Sequence, residues 1–148
     1  MSNKSRLQTN NDNLQALIDK ANELPNANGG SDTSVEDSLI TRNITSITNE
    51  RISSIGNYAF YSCNSLTSVS FPNATSIGNY AFFGCGGLTS VSFPNTTIID
   101  NYAFTHCSHL TSANFPKATN VGNYAFHNCE MLTSVNFPNA TSIGNSAF

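Results

Sequence analysis

The chain has 148 residues, a formal net charge of −3 and four cysteines, and its charges are unevenly distributed. Residues 1–51 hold twelve of the fifteen Asp, Glu, Lys and Arg side chains, whereas residues 52–148 hold only Asp100, Lys117 and Glu130. The sequence has no basic stripe and no apolar run long enough to cross a bilayer, which excludes nucleic-acid binding and membrane insertion from the expected functions.

The first predicted element is a short amphipathic α-helix within residues 1–25. Its apolar residues fall on one helical face: Leu7, Leu14, Leu17, Ile18, Ala21 and Leu24. Thr9 or Asn11 can cap this helix, and Pro25 ends it. The apolar pattern covers about two and a half heptads, fewer than the three or four that indicate a coiled coil. The helix is expected either to lie on the open end of the following domain or to self-associate.

Residues 26–37 are predicted to form a flexible linker, because Asn, Gly and Ser dominate this stretch. The preceding stretch from Leu7 to Pro25, LQTNNDNLQALIDKANELP, resembles a leader found at the start of prophage-encoded and tail-associated bacterial proteins. The N-terminus also lacks the apolar core of a secretory signal. Together these features predict a virion-associated or cytoplasmic protein rather than one exported through a cleaved signal.

Residues 38–148 are dominated by a repeat of 22 residues. A six-residue motif, mostly IGNYAF, recurs without insertion or deletion from Ile55, Ile77, Ile99, Val121 and Ile143. A strict period of this length is typical of a solenoid, since one unit is too small to bury its own apolar face and must stack on its neighbours. The regular coils occupy residues 53–148.

Residues 38–52 fit the same register as a degenerate capping coil. The 22-residue shift aligns Ile44 with Leu66 and Ile47 with Val69. The charged residues of this segment suit a terminal repeat whose outer side meets water.

Each regular coil is predicted to contain one β-strand that is buried on one face. Val69 and Phe71 alternate with polar Ser68 and Ser70, which is the period of a half-buried strand. Pro72 ends this strand because proline has no N–H to donate to a ladder.

The second half of each coil is predicted to contain a single helical turn. Asn79 is a suitable N-cap for a turn through Tyr80, Ala81 and Phe82. Gly78 precedes this turn, and Asp100 replaces the glycine one coil later. Because aspartate tolerates the left-handed region, the replacement predicts a positive φ at that position.

The repeat unit, L-x-x-V-x-F-P-x-x-x-x-I-G-N-Y-A-F-x-x-C, resembles the BspA-type leucine-rich repeat over about residues 44–148. The proline-terminated strand, the Ile-Gly pair, the Ala-Phe pair and the Cys fall where that family has them. The resemblance implies a right-handed horseshoe used for adhesion and protein binding. The expected fold is a β-rich, right-handed leucine-rich-repeat solenoid with parallel strands and one short helical turn per coil, preceded by the N-terminal helix.

The cysteines and histidines are not expected to bind a metal. Cys63, Cys85, Cys107 and Cys129 repeat with the coil and form no C-x-x-C pair, so they are expected to be an inert buried ladder. Neighbouring coils carry His106, His109 and His127 around these cysteines, but the sequence supplies no fixed fourth ligand. No cofactor is expected either.

The sequence does not predict an enzyme. It contains no glycine-rich phosphate loop, no nucleophile elbow and no paired carboxylates within one coil. Serine and threonine are abundant, but they lie on repeated strand positions without an adjacent base.

The predicted function is non-enzymatic recognition or adhesion, with a protein or glycan partner, on a phage tail or a bacterial surface. The loops before the strands differ most between coils, and they supply the candidate contacts Tyr61, Phe83, His106, His109, His127 and Met131. The alternatives are that these positions vary without function and that the solenoid is a structural spacer. The open edge near Phe148 predicts one of two outcomes: the chain is a piece of a longer protein, or it self-associates through that edge or through the N-terminal helix.

Overall fold

The computed structural model describes residues 44–148, which form a β-solenoid built from short strands. The predicted helix at residues 1–25 and the linker at residues 26–37 lie outside the described residues. In chain order the strands are β1 (Ser46–Thr48), β2 (Ser68–Ser70), β3 (Ser76–Ile77), β4 (Ser90–Ser92), β5 (Ile98–Ile99), β6 (Ser112–Asn114), β7 (Asn120–Val121), β8 (Ser134–Asn136) and β9 (Ser142–Ile143).

All strand pairs between coils are parallel and in register with the 22-residue repeat. β1 pairs with β2, and β4, β6 and β8 form a second ladder on the same side of the coil. Ile47 lies opposite Val69, as the alignment of the degenerate coil predicts. Strands β2, β4, β6 and β8 each end before the proline of their coil, whereas the coil of β1 has Glu50 at that position. The parallel-strand solenoid is therefore confirmed.

A third ladder, which the sequence pattern does not predict, runs along another side of the solenoid. It consists of β3, β5, β7 and β9, each of two residues, with Ile77 opposite Ile99. A strand of two residues is too short to show an alternating pattern, so periodicity alone could not identify it.

The core contains two columns of stacked phenylalanines. One column, Phe60, Phe82, Phe104 and Phe126, has ring centroids 5.1, 5.0 and 5.1 Å apart. The second consists of Phe71, Phe93, Phe115 and Phe137. Leu, Ile, Ala and Cys residues at equivalent positions complete the buried cluster. Burial of each Phe side chain contributes roughly 1.5–3 kcal/mol relative to exposure, which identifies these columns as the main stabilising feature.

The predicted helical turn is wrong, because the described residues contain no helix. The N–H groups of Tyr80 and Phe82 donate to the carbonyls of Asn101 and Ala103 in the next coil, at 3.1 and 2.8 Å. The intervening N–H of Ala81 donates back to Gly78 O at 3.3 Å. Successive backbone N–H groups thus donate alternately to the next coil and to the carbonyl three residues earlier. Because these donors are already used, the i to i−4 hydrogen bonds of an α-helix cannot form.

The predicted positive φ at Gly78 and Asp100 is also wrong. Positive φ instead occurs at the tyrosine two residues further on, with 58° at Tyr80 and 61° at Tyr102. A glycine at position 78 serves close approach of the coils, since a Cβ there would lie 2.6 Å from Asn57 Oδ1 and 2.8 Å from Asn57 N.

The uncharged polar residues of the repeat form hydrogen bonds between coils. Asn79 is not a helix cap: its Oδ1 accepts from the N–H of Asn101 at 3.2 Å. Asn101 Oδ1 in turn accepts from the N–H of Asn123 at 2.8 Å. On the strand side, the Thr111 hydroxyl donates to Thr89 O at 2.9 Å. The asparagine bonds satisfy backbone N–H groups of the turns, and the threonine hydroxyl adds a second bond to a carbonyl that already accepts from the Thr111 N–H.

Candidate recognition surface

A column of four tyrosines runs along the outside of the solenoid: Tyr58, Tyr80, Tyr102 and Tyr124. Their ring centroids are 5.0, 4.7 and 5.0 Å apart, and the interplanar angles are 6°, 5° and 4°. The spacing is that of neighbouring parallel strands, about 4.8 Å. All four side chains are half-buried. The rings therefore cover one another's faces and leave their edges and hydroxyls towards solvent.

A second, shorter column lies beside the tyrosines. The rings of Tyr61 and Phe83 stack at 5.1 Å with an interplanar angle of 4°. In the next coil this repeat position is Thr105, which is buried and whose hydroxyl donates to the carbonyl of Tyr124. His127 occupies the position after that and packs edge-on against Tyr124 at 5.4 Å.

The two columns contact each other and form one surface. Tyr58 lies 5.6 Å from Tyr61, and Tyr80 lies 5.5 Å from Phe83, with tilted rings in both pairs. His106 packs edge-on against Phe83 at 5.3 Å. We call this surface the aromatic face; it comprises Tyr58, Tyr61, Tyr80, Phe83, Tyr102, His106, Tyr124 and His127.

The local backbone explains why these rings point outward. Positive φ at Tyr80 reverses the chain direction between Gly78 and Ala81, whose N–H closes a turn on the Gly78 carbonyl. Positive φ at the third residue of such a turn is the pattern of a type II turn. Ala81 and Phe82 then enter the core with no exposed surface. The tyrosine consequently lies on the outer corner of four successive coils, and Ser146 takes that position, also with positive φ, in the last one.

The tyrosine hydroxyls are available as hydrogen-bond donors. Within residues 44–148, no protein group forms a hydrogen bond with the hydroxyl of Tyr58, Tyr61, Tyr80, Tyr102 or Tyr124. Partial burial, followed by repulsion from neighbouring tyrosines, chiefly Tyr102, raises the pKa of the Tyr80 phenol. The aromatic face also contains no Asp, Glu, Lys or Arg. It is a neutral surface of ring edges and O–H groups.

The structure brings together four of the six contacts proposed from the sequence. Tyr61, Phe83, His106 and His127 all lie on the aromatic face. His109 does not belong to it: its Nδ1 donates to the Gly86 carbonyl at 2.7 Å, beside a shallow groove that also involves Asn64 and Ser108. Met131 occupies the position equivalent to His109 one coil later and is 50% exposed.

Sequence reasoning missed the tyrosine column itself. The sequence pattern predicts a helical turn at Tyr80, and because residues 44–148 contain no helix, that prediction gives the wrong direction for the ring. The signal was nevertheless present, because a large residue with a polar tip recurs four times at the same repeat position. In a stacked solenoid such a recurrence places the residues in one column.

The cysteines form a column inside the core. All four are buried and free. The thiols of Cys85 and Cys107 donate to the carbonyls of Phe60 and Phe82 at 3.0 and 3.2 Å, and burial raises the pKa of both thiols well above the usual value. These thiols therefore stay protonated near neutral pH.

Residues 44–148 contain neither a cluster of metal ligands nor a membrane-spanning helix. In this part of the chain, no three His, Cys, Asp or Glu side chains are placed to hold a metal ion together. Over the same range, no helix has the length and apolar character required to cross a membrane.

Asp100 is the one acidic residue at a repeat position where the other regular coils have glycine. Burial raises the pKa of its carboxyl group. Within residues 44–148 the carboxylate has neither a hydrogen bond nor an ion pair, and a single carboxylate does not make a metal or catalytic site.

Comparison with solved structures places this solenoid among bacterial leucine-rich repeat proteins. A leucine-rich repeat protein of Treponema pallidum is 30% identical with a TM-score of 0.65, over 70% of this chain and 53% of that chain. A leucine-rich cell surface protein of Faecalibacterium prausnitzii is 29% identical with a TM-score of 0.63, over 71% of this chain and 36% of that chain. A protein of Bacteroides ovatus, 24% identical with a TM-score of 0.54 over 72% of this chain and 46% of that chain, shares the fold.

This chain thus spans about a third to a half of the solved chains that it resembles. No protein of curated function matches the sequence. The family model described as the BspA type leucine rich repeat region matches residues 36–148 in six copies, and the chain belongs to this family.

Proposed function

We propose that this chain is a non-enzymatic recognition module that binds a partner protein through the aromatic face. Leucine-rich repeat proteins are in general protein-binding or surface-associated modules. The observation that carries the proposal is the continuous, neutral array of eight aromatic and histidine side chains on one side of the solenoid.

The chemistry of the aromatic face suits protein recognition. Tyrosine combines a large apolar ring with a polar tip, and it is enriched at protein interfaces and among the residues that dominate binding energy. Stacking between neighbours at about 5 Å holds the rings in place before binding. Binding of a partner therefore costs less side-chain entropy than it would if these tyrosine side chains were isolated and mobile.

Recognition is proposed to depend on side chains rather than on added β-strands. The N–H groups of Tyr58, Phe60 and Ser62 already donate to Asn79, Ala81 and Phe83 of the next coil. Since these backbone groups are used between coils, a peptide cannot pair with this side of the solenoid as an additional strand.

We also propose that the module does not catalyse a reaction. The buried thiols of Cys85 and Cys107 stay protonated, which makes them unsuitable nucleophiles. Asp100 has no acidic neighbour in its own coil. Nothing among residues 44–148 pairs a nucleophile with a base in the way that acyl or phosphoryl transfer requires.

Display on a bacterial surface is the proposed setting. It is supported by 29% identity to a protein described as a leucine-rich cell surface protein. Association with a phage tail rests only on the leader resemblance at residues 7–25, which lie outside the described residues. Glycan binding, and self-association through the N-terminal helix or the C-terminal edge, also stay predictions.

The test compares the full chain with two triple variants on panels of bacterial and host-cell surfaces. The face variant carries Tyr61→Ser, Phe83→Ser and His106→Ser. The matched control carries Ser68→Ala, Ser90→Ala and Ser112→Ala on the strand ladders. Labelled protein is added to each surface, and circular dichroism and urea unfolding verify that all three proteins are folded.

We expect the parent and the control to bind a subset of surfaces and the face variant to lose that binding. Equal binding by all three proteins would contradict a role for the aromatic face. If the folded parent binds no surface in the panel, recognition is wrong and the solenoid acts as a structural spacer.

A further inference from the structure

We infer that the aromatic face binds a proline-rich segment in the polyproline II conformation. The inference rests on the proposed recognition function and names the class of ligand. It combines three properties of the aromatic face: donors without protein partners, a matching repeat distance and the absence of charge.

The first property is the set of free donors. Five tyrosine hydroxyls on the aromatic face form no hydrogen bond with residues 44–148: those of Tyr58, Tyr61, Tyr80, Tyr102 and Tyr124. A polyproline II chain has no internal hydrogen bonds, and its prolines lack an N–H. Such a ligand presents carbonyl acceptors and almost no donors. It therefore complements a surface on which five O–H groups lack a partner among residues 44–148.

The second property is the repeat distance along the solenoid. Successive tyrosine rings from Tyr58 to Tyr102 advance by 5.0 and then 4.7 Å. One turn of polyproline II contains three residues and advances about 9 Å. Two coils of the solenoid thus match one turn of the ligand. Every second tyrosine can meet an equivalent carbonyl without bending the peptide.

The third property is neutrality combined with apolar ring edges. The aromatic face has no Asp, Glu, Lys or Arg, so it offers no permanent charge with which an acidic or basic peptide could pair. Proline rings are apolar and uncharged, and they pack on aromatic surfaces in known proline-recognition domains. The tilted contacts between Tyr61, Tyr80 and Phe83 offer such ring edges beside the tyrosine hydroxyls.

A linear neutral glycan is the competing class of ligand, because it is also uncharged and periodic. It differs in carrying many donors of its own. The peptide is favoured because its spacing along the chain matches two coils of the solenoid and its apolar proline rings suit the ring edges that flank the five hydroxyls.

The experiment measures fluorescence anisotropy of labelled decaproline titrated with the full chain. A Gly-Ser peptide of equal length controls for nonspecific binding. The key variant carries Tyr80→Phe and Tyr102→Phe, which preserves the stacked rings and removes two hydroxyls. Its matched control carries Ser90→Ala and Ser112→Ala, which removes two hydroxyls from a strand ladder. Unlabelled chitohexaose and cellohexaose are tested in parallel as neutral glycans, by displacement and by direct calorimetry.

We expect decaproline to bind the parent and the strand-ladder control equally and the Gly-Ser peptide not to bind. Loss of two hydrogen bonds should weaken binding to the Tyr-to-Phe variant roughly tenfold. The inference is overturned if the parent fails to bind decaproline at millimolar concentration, or if the Tyr-to-Phe variant binds as tightly as the parent.

The oligosaccharide measurements distinguish a wrong ligand class from a wrong proposed function. If an oligosaccharide binds and the Tyr-to-Phe variant loses that binding while decaproline does not bind, the ligand class is wrong and recognition through the aromatic face stands. If neither probe binds and the cell-surface panel is also negative, both the inference and the proposed function are wrong.

Discussion

Each coil contributes one tyrosine and, two positions later in the sequence, one phenylalanine to two separate aromatic columns, and the two columns have different roles. Phe60, Phe82, Phe104 and Phe126 stack inside the solenoid, and Tyr58, Tyr80, Tyr102 and Tyr124 stack outside it, with nearly the same ring spacing. The Phe side chains are at most 2% exposed, whereas the Tyr side chains are half-buried. Stacking follows from the distance between coils, and burial decides whether a ring stabilises the fold or is available to a partner.

Replacing a ring of the inner column should produce the largest effect. Phe104→Ala removes a side chain with no exposed surface and leaves a cavity between the rings of Phe82 and Phe126. The expected loss of unfolding free energy is about 3–5 kcal/mol, measured by urea unfolding. Phe82→Ala should behave alike. A loss below about 1 kcal/mol would show that these rings are not core.

The equivalent change in the outer column should cost less. Tyr102→Ala loses two stacked contacts, at 4.7 Å to Tyr80 and 5.0 Å to Tyr124, but no buried hydroxyl. Stacked pairs contribute about 0.5–1.5 kcal/mol each, so the loss of two pairs is expected to cost about 1–3 kcal/mol in the same urea experiment. Tyr102→Phe is the matched control and should leave stability nearly unchanged. If Tyr102→Ala destabilised as much as Phe104→Ala, the proposed contrast between the columns would be wrong.

The backbone conformation at the outer column predicts that a glycine substitution is more stable than an alanine substitution, the reverse of the usual order. Tyr102 has a φ of 61°, which costs an L-residue about 1–2 kcal/mol but costs glycine little. Tyr102→Gly should therefore be more stable than Tyr102→Ala, by up to about 1 kcal/mol after glycine's larger unfolded-state entropy is included. Calorimetric melting of the two variants tests this order. The reverse order would mean that φ at position 102 is negative in solution.

Asp100 should produce the smallest effect, and one that depends on pH. Burial raises the pKa of its carboxyl group in the folded chain, so its ionisation opposes folding. Stability is therefore retained below the unfolded-state pKa and is lost as the pH rises through the higher folded-state pKa. Asp100→Asn should stabilise the chain near pH 7 by a few tenths of a kcal/mol, because the carboxyl is only partly buried and solvent screens its charge.

The same variant should show no gain near pH 3, where the carboxyl is protonated in both states. Urea unfolding at the two pH values measures the difference, and Lys117→Gln provides a control at an exposed charge. An equal effect of Asp100→Asn at both pH values would exclude ionisation as the cause.

Much of the core was predictable from the repeat. The alternation of Val69 and Phe71 with serines identified the first strand of the coil, and Phe82 was placed in the core correctly. The turn that follows was assigned wrongly, because Asn79 and Tyr80 have the local composition of a helix start. Contacts with the next coil override that local preference, since alternate N–H groups find carbonyl partners 21 residues ahead.

The candidate site was predictable only in part, for a related reason. Variation between coils pointed to Tyr61, Phe83, His106 and His127, which the structure brings together, and also to His109 and Met131, which lie elsewhere. Variation cannot identify the tyrosine column, because Tyr58, Tyr80, Tyr102 and Tyr124 do not vary. The outward direction of these rings depends on positive φ angles for which tyrosine gives no local indication.

The sequence by itself determined the solenoid, the register of its coils and the identity of most buried residues. It could do so because a period of 22 residues places identical side chains above one another, and only neighbours can bury them. The tertiary structure alone decided the second strand, the consecutive turns and the outward-facing tyrosine column. These features depend on hydrogen bonds between residues 21 to 23 positions apart, and such bonds exist only after the coils have stacked.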